Sequence, residues 1–397
     1  MGSVRPGTTA GNHQGLDLKV LTRRRFLRAL ASAGAVLPLA AALAACGGED
    51  EPASTTSPTS AATASPGTTQ EAAATPTTAG TTATAEATGT SGVFPVTVEH
   101  KFGTTEIPEE PERVVTIGFS EQDPVLALGV KPVAVREWFG NHPYAVWPWA
   151  LDELGDAEPQ VLVMPYGELD FETIAALRPD VIIATHSGIT AEEYATLSQI
   201  APTVAQSGDY PDFGMPWQEQ TRLIGRALGR ESVAEERIAE VEAAIAEAAS
   251  AHPAFAGATI AWASPSDDGQ FWAVGPNTPP MRFLTSLGFE VPEDLAEVIG
   301  DLDSAQISHE QVHLLDTDVL IMQVDSPEQR SVIEQDPLYQ QLRVSREGRT
   351  IFFESSDDPI YGALSFSTVL SLPYLVDELV PRLAAAVDGD PSTEATS

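Results

Sequence analysis

The motif in this chain that most directly suggests chemistry is H-E-x-x-H at residues 309–313. On a helix this spacing sets His309 and His313 on one face for zinc and places Glu310 as a general base. A zinc metalloprotease is therefore one hypothesis. Against it, the motif runs almost directly into a predicted strand at 318–323, which leaves room for only a short helix.

Cys46 is the only cysteine in the chain. It follows an apolar, alanine-rich run, 29–45, which comes after arginines 23–25 and 28, the order of a twin-arginine type export signal. The run is shorter than the ~20 residues of a membrane span and contains Pro38, so a cleaved signal is favoured over a transmembrane anchor. The small residues before Cys46 resemble a lipobox, which predicts lipidation of this thiol and an extracytoplasmic, membrane-anchored protein.

The segment 46–92 has no Val, Ile, Leu, Met or aromatic residue, and this composition predicts a flexible tether. Loss of residues 1–45 leaves 15 basic against 56 acidic residues and a net charge of about −41. So acidic a chain is repelled by nucleic acid and by anionic lipid surfaces, which excludes both as main partners.

From Arg113 onward, short β-branched runs alternate with helical patterns, which predicts an α/β fold with parallel sheets. The folded part has roughly 300 residues, near the size at which one core gives way to two. A helical pattern at 232–251 spans ~30 Å and is long enough to join two lobes. The predicted strands are 114–119, 132–136, 161–164, 180–185 and 203–205, then 259–263, 271–274, 318–323 and 350–354.

An internal similarity supports two related halves. Glu172 lies eight residues before Asp180, and Glu310 lies eight residues before Asp318. In both places the aspartate is followed directly by an aliphatic run. Two helix-turn-strand units are therefore expected at equivalent places in two lobes, with a chance match as the alternative. This similarity also weakens the zinc hypothesis, because Glu310 falls on a structural position of the repeat.

The series of elements, together with the lipobox and tether, resembles the substrate-binding lipoproteins of bacterial ABC importers. The resemblance is closest to the ferric-siderophore binders, in the group that also includes vitamin B12 and haem binders. It is carried by PERVVTIG at 111–118, LALGVKPVA at 126–134, IAALRPDVII at 174–183, IAPTV at 200–204, RFL and LGF within 282–289, and LSLPY at 370–374.

This resemblance implies two Rossmann-like lobes joined by a single long connecting helix, the class III type of substrate-binding protein. It implies a monomer without a covalent cofactor or catalytic activity. Such a protein holds a ferric siderophore in the cleft between the lobes and delivers it to an ABC permease and its ATPase. The predicted segments are a signal at 1–45, a tether at 46–92, lobes at 93–215 and 253–389, a helical connector at 216–252 and a disordered tail at 390–397.

Ligands of open α/β sheets bind beyond the carboxyl ends of the strands, so residues that follow strands are the candidates. Arg136 ranks first because a cation directly after a strand is informative in an acidic chain, with a surface ion pair to Glu137 as the alternative. For the tryptophans the alternative is core packing. The predicted ligand-binding residues are Arg136, Trp138, Tyr166, His186, Trp262, Trp272, Arg282 and Tyr361.

The resemblance also implies an acidic residue on each lobe that docks to the permease. The matching position of the first lobe is Asp123, whereas that of the second is Arg282, a departure from the family pattern. A haem or cobalamin ligand is a further hypothesis, as is a metal ion bound directly by His142, His186 and carboxylates. The acidity favours a neutral or cationic hydroxamate complex over a polyanionic catecholate.

Overall fold

The structure, a computed structural model, describes residues 92–266 and 268–390. The predicted export signal, Cys46, the tether as far as residue 91, and the tail from residue 391 lie outside the described residues. Within the described ranges, no helix has the length and apolar character needed to span a bilayer.

The first lobe is built on a five-stranded parallel sheet with the neighbour order β5-β4-β3-β6-β7. All five predicted strands are present, most with slightly shorter bounds, and an additional hairpin of β1 and β2 precedes them. The elements are β1 Val96–His100, β2 Gly103–Ile107, β3 Val114–Thr116, α1 Gln122–Ala127, β4 Ala134–Arg136, α2 Leu151–Leu154, β5 Gln160–Leu162, α3 Phe171–Ala176, β6 Val181–Ala184, α4 Ala191–Leu197 and β7 Thr203–Ala205.

The second lobe has a five-stranded sheet with the order β10-β9-β8-β11-β12. Its strand β9 runs antiparallel to both neighbours, because the loop from β8 is too short for a parallel crossover. The elements are β8 Ile260–Pro265, β9 Phe271–Val274, α7 Pro279–Ser286, α8 Glu293–Ile299, β10 Ser304–Ile307, β11 Val319–Gln323, α9 Pro327–Glu334, α10 Arg343–Arg346, β12 Thr350–Phe353, α11 Pro359–Phe366, α12 Ser371–Glu378 and α13 Val380–Asp388.

Two helices, α5 Trp217–Ala227 and α6 Glu231–Ala251, connect the lobes. The α6 helix contributes to both hydrophobic cores: Ala234 packs in the core of the first lobe, while Val241 and Ile245 pack in that of the second. The remaining face of α6 is acidic and exposed. The predicted connecting helix is thus confirmed, since one rigid rod is anchored at both ends by buried apolar side chains.

The internal similarity corresponds to one hydrogen-bonding device used twice. Asp180, just before β6, accepts hydrogen bonds from the backbone of Glu112 and Arg113, just before β3. In the second lobe Asp318, just before β11, accepts from the backbone N–H and the hydroxyl of Thr259, just before β8. In each lobe an aspartate therefore ties together the starts of the two central strands.

The lobes meet through aromatic packing between the segment after β4 and helix α11. Trp147 lies 5.9 Å from Phe366 between ring centroids, and Phe139 lies 6.1 Å from Tyr361. Gly362 on α11 permits this approach, because a Cβ atom at that position would overlap the Trp147 indole ring. The contact is dry on both sides, since Trp147 and Tyr361 are each 1% exposed.

A Gly362→Ala substitution tests this interface. Alanine is favoured over glycine inside a helix by about 1 kcal/mol, so a purely local effect would stabilise the protein. Overpacking against Trp147 is expected to outweigh this and to lower the free energy of unfolding by about 1 to 3 kcal/mol. Urea denaturation measures the change. Gly208→Ala, where a Cβ makes ordinary contacts with Lys101, is the control and should be nearly neutral.

A buried carboxylate of the first lobe is also hydrogen-bonded to the second lobe. Asp123 on α1 is 0% exposed and accepts hydrogen bonds from the hydroxyl of Thr368, in the second lobe, and from Trp149 Nε1 at 2.8 Å. The docking role predicted for Asp123 is therefore wrong, because a permease arginine cannot reach a carboxylate enclosed between the lobes. Burial raises the pKa of Asp123 to about 7, although both hydrogen bonds oppose this shift.

This raised pKa gives a pH dependence with a defined sign. The native state holds the Asp123 proton more tightly than the unfolded state, so the associated stability is present below about pH 4 and is lost as the pH rises towards 7. The amide of an Asp123→Asn variant cannot ionise, so the variant is not subject to this loss. Its unfolding free energy relative to wild type should therefore increase across this window, by at most about 1.4 kcal/mol per pH unit.

Urea denaturation at several pH values between about 4 and 8 measures this difference. Thr368→Val is the matched control, since it removes one hydrogen bond to the carboxylate but keeps the ionisable group, and its own pH dependence should persist. Parallel stability curves for wild type and Asp123→Asn would contradict the assignment.

Candidate functional site

Each strand of the first sheet is followed within eight residues by an aromatic ring. Because the strands are parallel, these rings gather along one edge of the sheet, where open α/β folds bind ligands. We call this set the aromatic edge. In the order of the strands across the sheet, it consists of Tyr166 after β5, Trp138 after β4, Phe119 after β3, His186 after β6 and Phe213 after β7.

The rings of the aromatic edge contact one another around Phe119. Its ring centroid lies 5.6 Å from that of Trp138, 6.3 Å from Tyr166 and 6.1 Å from Phe213. His186 lies 5.2 Å from Phe213 and 6.3 Å from Trp138. The cluster remains accessible, since Tyr166 is 39% exposed and the other rings except Phe119 are partly exposed. An exposed cluster of aromatic rings can bind a bulky, partly apolar ligand.

Phe213 is held in a conformation that bulky residues rarely adopt. Its φ angle is 65°, in the left-handed region. Gly188 provides the space for this ring, because a Cβ atom there would lie 2.7 Å from Phe213 Cζ and 3.3 Å from the Tyr166 hydroxyl. Such strain concentrates at functional sites, where the surrounding structure enforces it.

Arg136 lies beneath the aromatic edge and is 1% exposed. Its guanidinium donates hydrogen bonds to the carbonyls of Ile117, Met164 and Pro165 at 2.6–3.1 Å and stacks 4.6 Å from the Phe119 ring centroid. Arg136 therefore holds the ends of strands β3 and β5 together. Four of its five N–H donors bind backbone carbonyls and the side chain is buried, so neither the predicted ligand contact nor the alternative ion pair with Glu137 is its role.

Glu121 fixes the ends of β3 and β6 from below. Its carboxylate is fully buried and accepts from the backbone N–H of His186 at 2.7 Å and of Ser120 at 3.3 Å. A side chain at Gly118 would overlap this carboxylate, so glycine is required there. Burial raises the pKa of Glu121 to about 7, against the opposing effects of its backbone hydrogen bonds and of Arg136.

The second-lobe candidates are divided between core and surface. Trp262 on β8 and Tyr361 on α11 lie 6.0 Å apart inside the second core, 2% and 1% exposed. The prediction that they contact a ligand is wrong, because their place in the packed core removes them from any cleft. Trp272 is partly exposed on β9, where it pairs in register with Ser264 and Gln306.

Arg282, on α7, is partly buried and connects the second lobe to the segment before α5. It donates a hydrogen bond to the Gly214 carbonyl at 2.7 Å. Burial lowers its pKa, whereas the charges of Tyr210 and Asp303 oppose that change. Its contact with Gly214 places it one residue from Phe213, so it is the candidate cation beside the aromatic edge.

The H-E-x-x-H motif does not form a zinc site. Residues 309–315 form a 3-10 helix, in which positions four apart do not share a face. The His309 Nε2 atom is 2.6 Å from Asp336 Oδ2, and His313 Nδ1 is 3.4 Å from the Glu310 carbonyl. Within residues 92–266 and 268–390 no three metal-ligating side chains converge, so neither this motif nor the set of His142, His186 and carboxylates is assembled.

Sequence reasoning identifies Trp138, Tyr166 and His186 at the aromatic edge but misses its other two rings and the neighbouring Phe366. Phe119 falls within the predicted strand 114–119, although it follows β3. Phe213 lies eight residues beyond β7, where the strand-end rule no longer applies. Phe366, from α11 of the second lobe, lies 5.2 Å from Trp138. The signal available for these rings is the density of aromatic residues near predicted strand ends.

Comparison with known proteins places this geometry in a family. Residues 115–356 match the family described as periplasmic binding protein. A probable siderophore-binding lipoprotein of Bacillus subtilis, YfiY, is 34% identical over 144 residues, which cover 35% of this chain and 40% of that protein. The chain thus aligns with about two fifths of the length of this relative.

Two solved structures cover nearly the whole of their own chains. A periplasmic solute binding protein from Mycobacterium smegmatis is 39% identical, with a TM-score of 0.66 over 74% of this chain and 98% of that one. PiaA of Streptococcus pneumoniae, solved in complex with ferrichrome, is 28% identical, with a TM-score of 0.65 over 74% and 99%. With its two α/β lobes and connecting helix, the chain therefore belongs to the periplasmic binding protein family.

Proposed function

We propose that this protein is the extracytoplasmic substrate-binding component of an ABC importer and that it captures a ferric siderophore at the aromatic edge. The observation that carries the proposal is the convergence of five aromatic rings at the carboxyl ends of five parallel strands. Two similar proteins support it, since one is named for siderophore binding and another, with the same fold, is solved with ferrichrome.

The chemistry of the site suits a ligand whose metal is already enclosed. A siderophore fills the coordination shell of Fe(III), so the protein needs to recognise only the outer surface of the complex. Aromatic faces and neutral hydrogen-bond donors serve that purpose, and no carboxylate or imidazole cluster is required to hold the metal. A ligand of this class matches the ring set of the aromatic edge.

Two cations lie near the aromatic edge, and each donates to backbone carbonyl oxygen. Arg136 lies directly below the rings, but its guanidinium binds backbone carbonyls. Arg282 donates to Gly214. Glu121 adds a buried acid on the same side of the sheet. A ferric hydroxamate complex is the favoured ligand, because a polyanionic catecholate complex requires a concentrated basic site and the chain after residue 45 has 15 basic residues against 56 acidic ones.

A Phe213→Leu substitution tests the site. Leucine is expected to weaken binding of the cognate ferric complex by about 5- to 30-fold, because it removes an aromatic face from the site and the ring that packs against Phe119, Tyr166 and His186. Quenching of tryptophan fluorescence during titration with ferrichrome, ferric citrate or a ferric catecholate measures the affinity. Wild type should respond to one chelate class and not to an Fe(III) salt.

Phe352→Leu is the matched control. Phe352 is also partly buried, but it lies on β12 of the second lobe, where its ring centroid is 6.4 Å from that of Tyr339. Its leucine variant should bind as wild type does. Equal loss of binding in both variants would point to general destabilisation, and no binding by wild type to any of the three chelates would overturn the proposal.

The same proposal includes anchoring at the membrane through lipid on Cys46, which places the binding lobes near the permease. A Cys46→Ser variant should lose incorporation of labelled fatty acid and move from the membrane fraction to the soluble extracytoplasmic fraction. Immunoblotting of cell fractions measures this. Retention of Cys46→Ser in the membrane fraction would contradict lipid anchoring without affecting the binding assignment.

A further inference from the structure

His186 is the one imidazole ring of the aromatic edge, and its two nitrogen atoms lie in different surroundings. Its Nδ1 atom is 2.7 Å from the hydroxyl oxygen of Ser120. Its Nε2 atom has no hydrogen-bonding partner among residues 92–266 and 268–390. The ring is partly exposed between Trp138 and Phe213. The Nε2 atom is therefore the polar group that His186 offers to a ligand.

The position of the ring proton follows from the burial of Ser120. This residue is 0% exposed, so no bulk water is available to its hydroxyl. A buried hydroxyl proton requires an acceptor. Among the described residues, the only acceptor within reach of Ser120 Oγ is His186 Nδ1. The hydroxyl therefore donates to Nδ1, and in the neutral ring the proton resides on Nε2.

Gln220 on α5 reinforces this direction. Its amide nitrogen is a donor only, and it lies 3.4 Å from Ser120 Oγ and 3.3 Å from Thr185 Oγ1. It donates a hydrogen bond to the serine oxygen, so the serine hydroxyl remains free to donate its own proton to His186. A chain of donors thus runs from Gln220 through Ser120 to His186.

The imidazole is also kept neutral. Burial lowers the pKa of His186 to about 4. The nearest carboxylate, Glu121, binds the backbone N–H of His186 and not the ring, so it does not stabilise a protonated ring by hydrogen bonding. The ring therefore bears one proton across the neutral pH range.

We propose that Gln220 and Ser120 are positioning residues that fix His186 as an Nε2–H donor to an oxygen atom of the bound ferric chelate. A donor at this place recognises the ligand oxygens on the outside of the chelate and offers no lone pair to a bare metal ion. The chain of donors thereby favours an Fe(III) ion already enclosed by its chelator over a metal ion with free coordination positions. The ligand contact in this inference rests on the proposed function, whereas the tautomer of His186 does not.

The tautomer is tested without any ligand. Protein labelled with nitrogen-15 in histidine gives a side-chain nitrogen–proton correlation spectrum that shows which ring nitrogen bears the proton, and His186→Gln identifies the signal. Wild type is expected to show an Nε2–H tautomer that persists from about pH 8 to about pH 5. Ser120→Ala is expected to show a mixture of tautomers, because Nδ1 has lost its donor. A proton on Nδ1 in wild type would overturn the inference.

Binding variants test the ligand contact by fluorescence titration with ferrichrome, ferric citrate and a ferric catecholate. His186→Leu should weaken binding of the chelate that wild type prefers by about tenfold. His186→Gln retains an N–H donor, so it should weaken binding by less than about threefold. Ser120→Ala should weaken binding by about three- to tenfold. Ser187→Ala is the matched control, since the buried Ser187 hydroxyl donates to the Ala184 carbonyl and does not contact the ring.

Different outcomes would overturn the donor role of His186 and the proposed function. Wild-type affinity in His186→Leu, with chelate binding intact, would overturn the donor role while leaving the proposed function standing. Absence of binding by wild type to all three chelates would overturn the proposed function and the ligand contact with it, whereas the tautomer is decided by the spectrum alone.

Discussion

Parallel strand pairing in the first sheet is the constraint on which the candidate site depends. Five strands run in one direction, so the segments that follow them all leave the sheet at the same edge, and segments after neighbouring strands lie side by side. Residues as distant in sequence as Phe119 and Phe213 are thereby brought to 6.1 Å. Cohesion at this edge comes from Arg136 and Glu121, which bind the emerging backbone from below.

The two lobes are held by more than their connecting helix. The α6 helix is embedded in both cores, and the aromatic contact between Trp147 and α11 adds a second, independent attachment. The buried Asp123 carboxylate adds a polar one. Attachments at separate points oppose a large rotation of one lobe against the other. A ligand captured at the aromatic edge therefore meets a site that is already formed, and little free energy is lost to ordering it.

Much of the fold was predictable from the sequence because its signals are local. The runs that form β7 and β9 are bounded by the residues that the sequence indicated, and Asp180 and Asp318 occupy equivalent places, as their spacing predicted. The site was less predictable. Whether Trp262 faces a cleft or a core depends on which face of β8 packs against α11, and this is decided by tertiary packing, not by strand position.

Arg136 shows why residue type alone misleads at such a site. A cation after a strand in an acidic chain suggests an anionic ligand, yet the guanidinium is the side chain with enough fixed N–H donors to bind three carbonyls at once. Its charge then serves the scaffold, and the surface above it is left to aromatic rings and a neutral imidazole. Aromatic faces and a neutral N–H donor suit the large, oxygen-rich chelate proposed as the ligand, and they provide little that would hold a small anion.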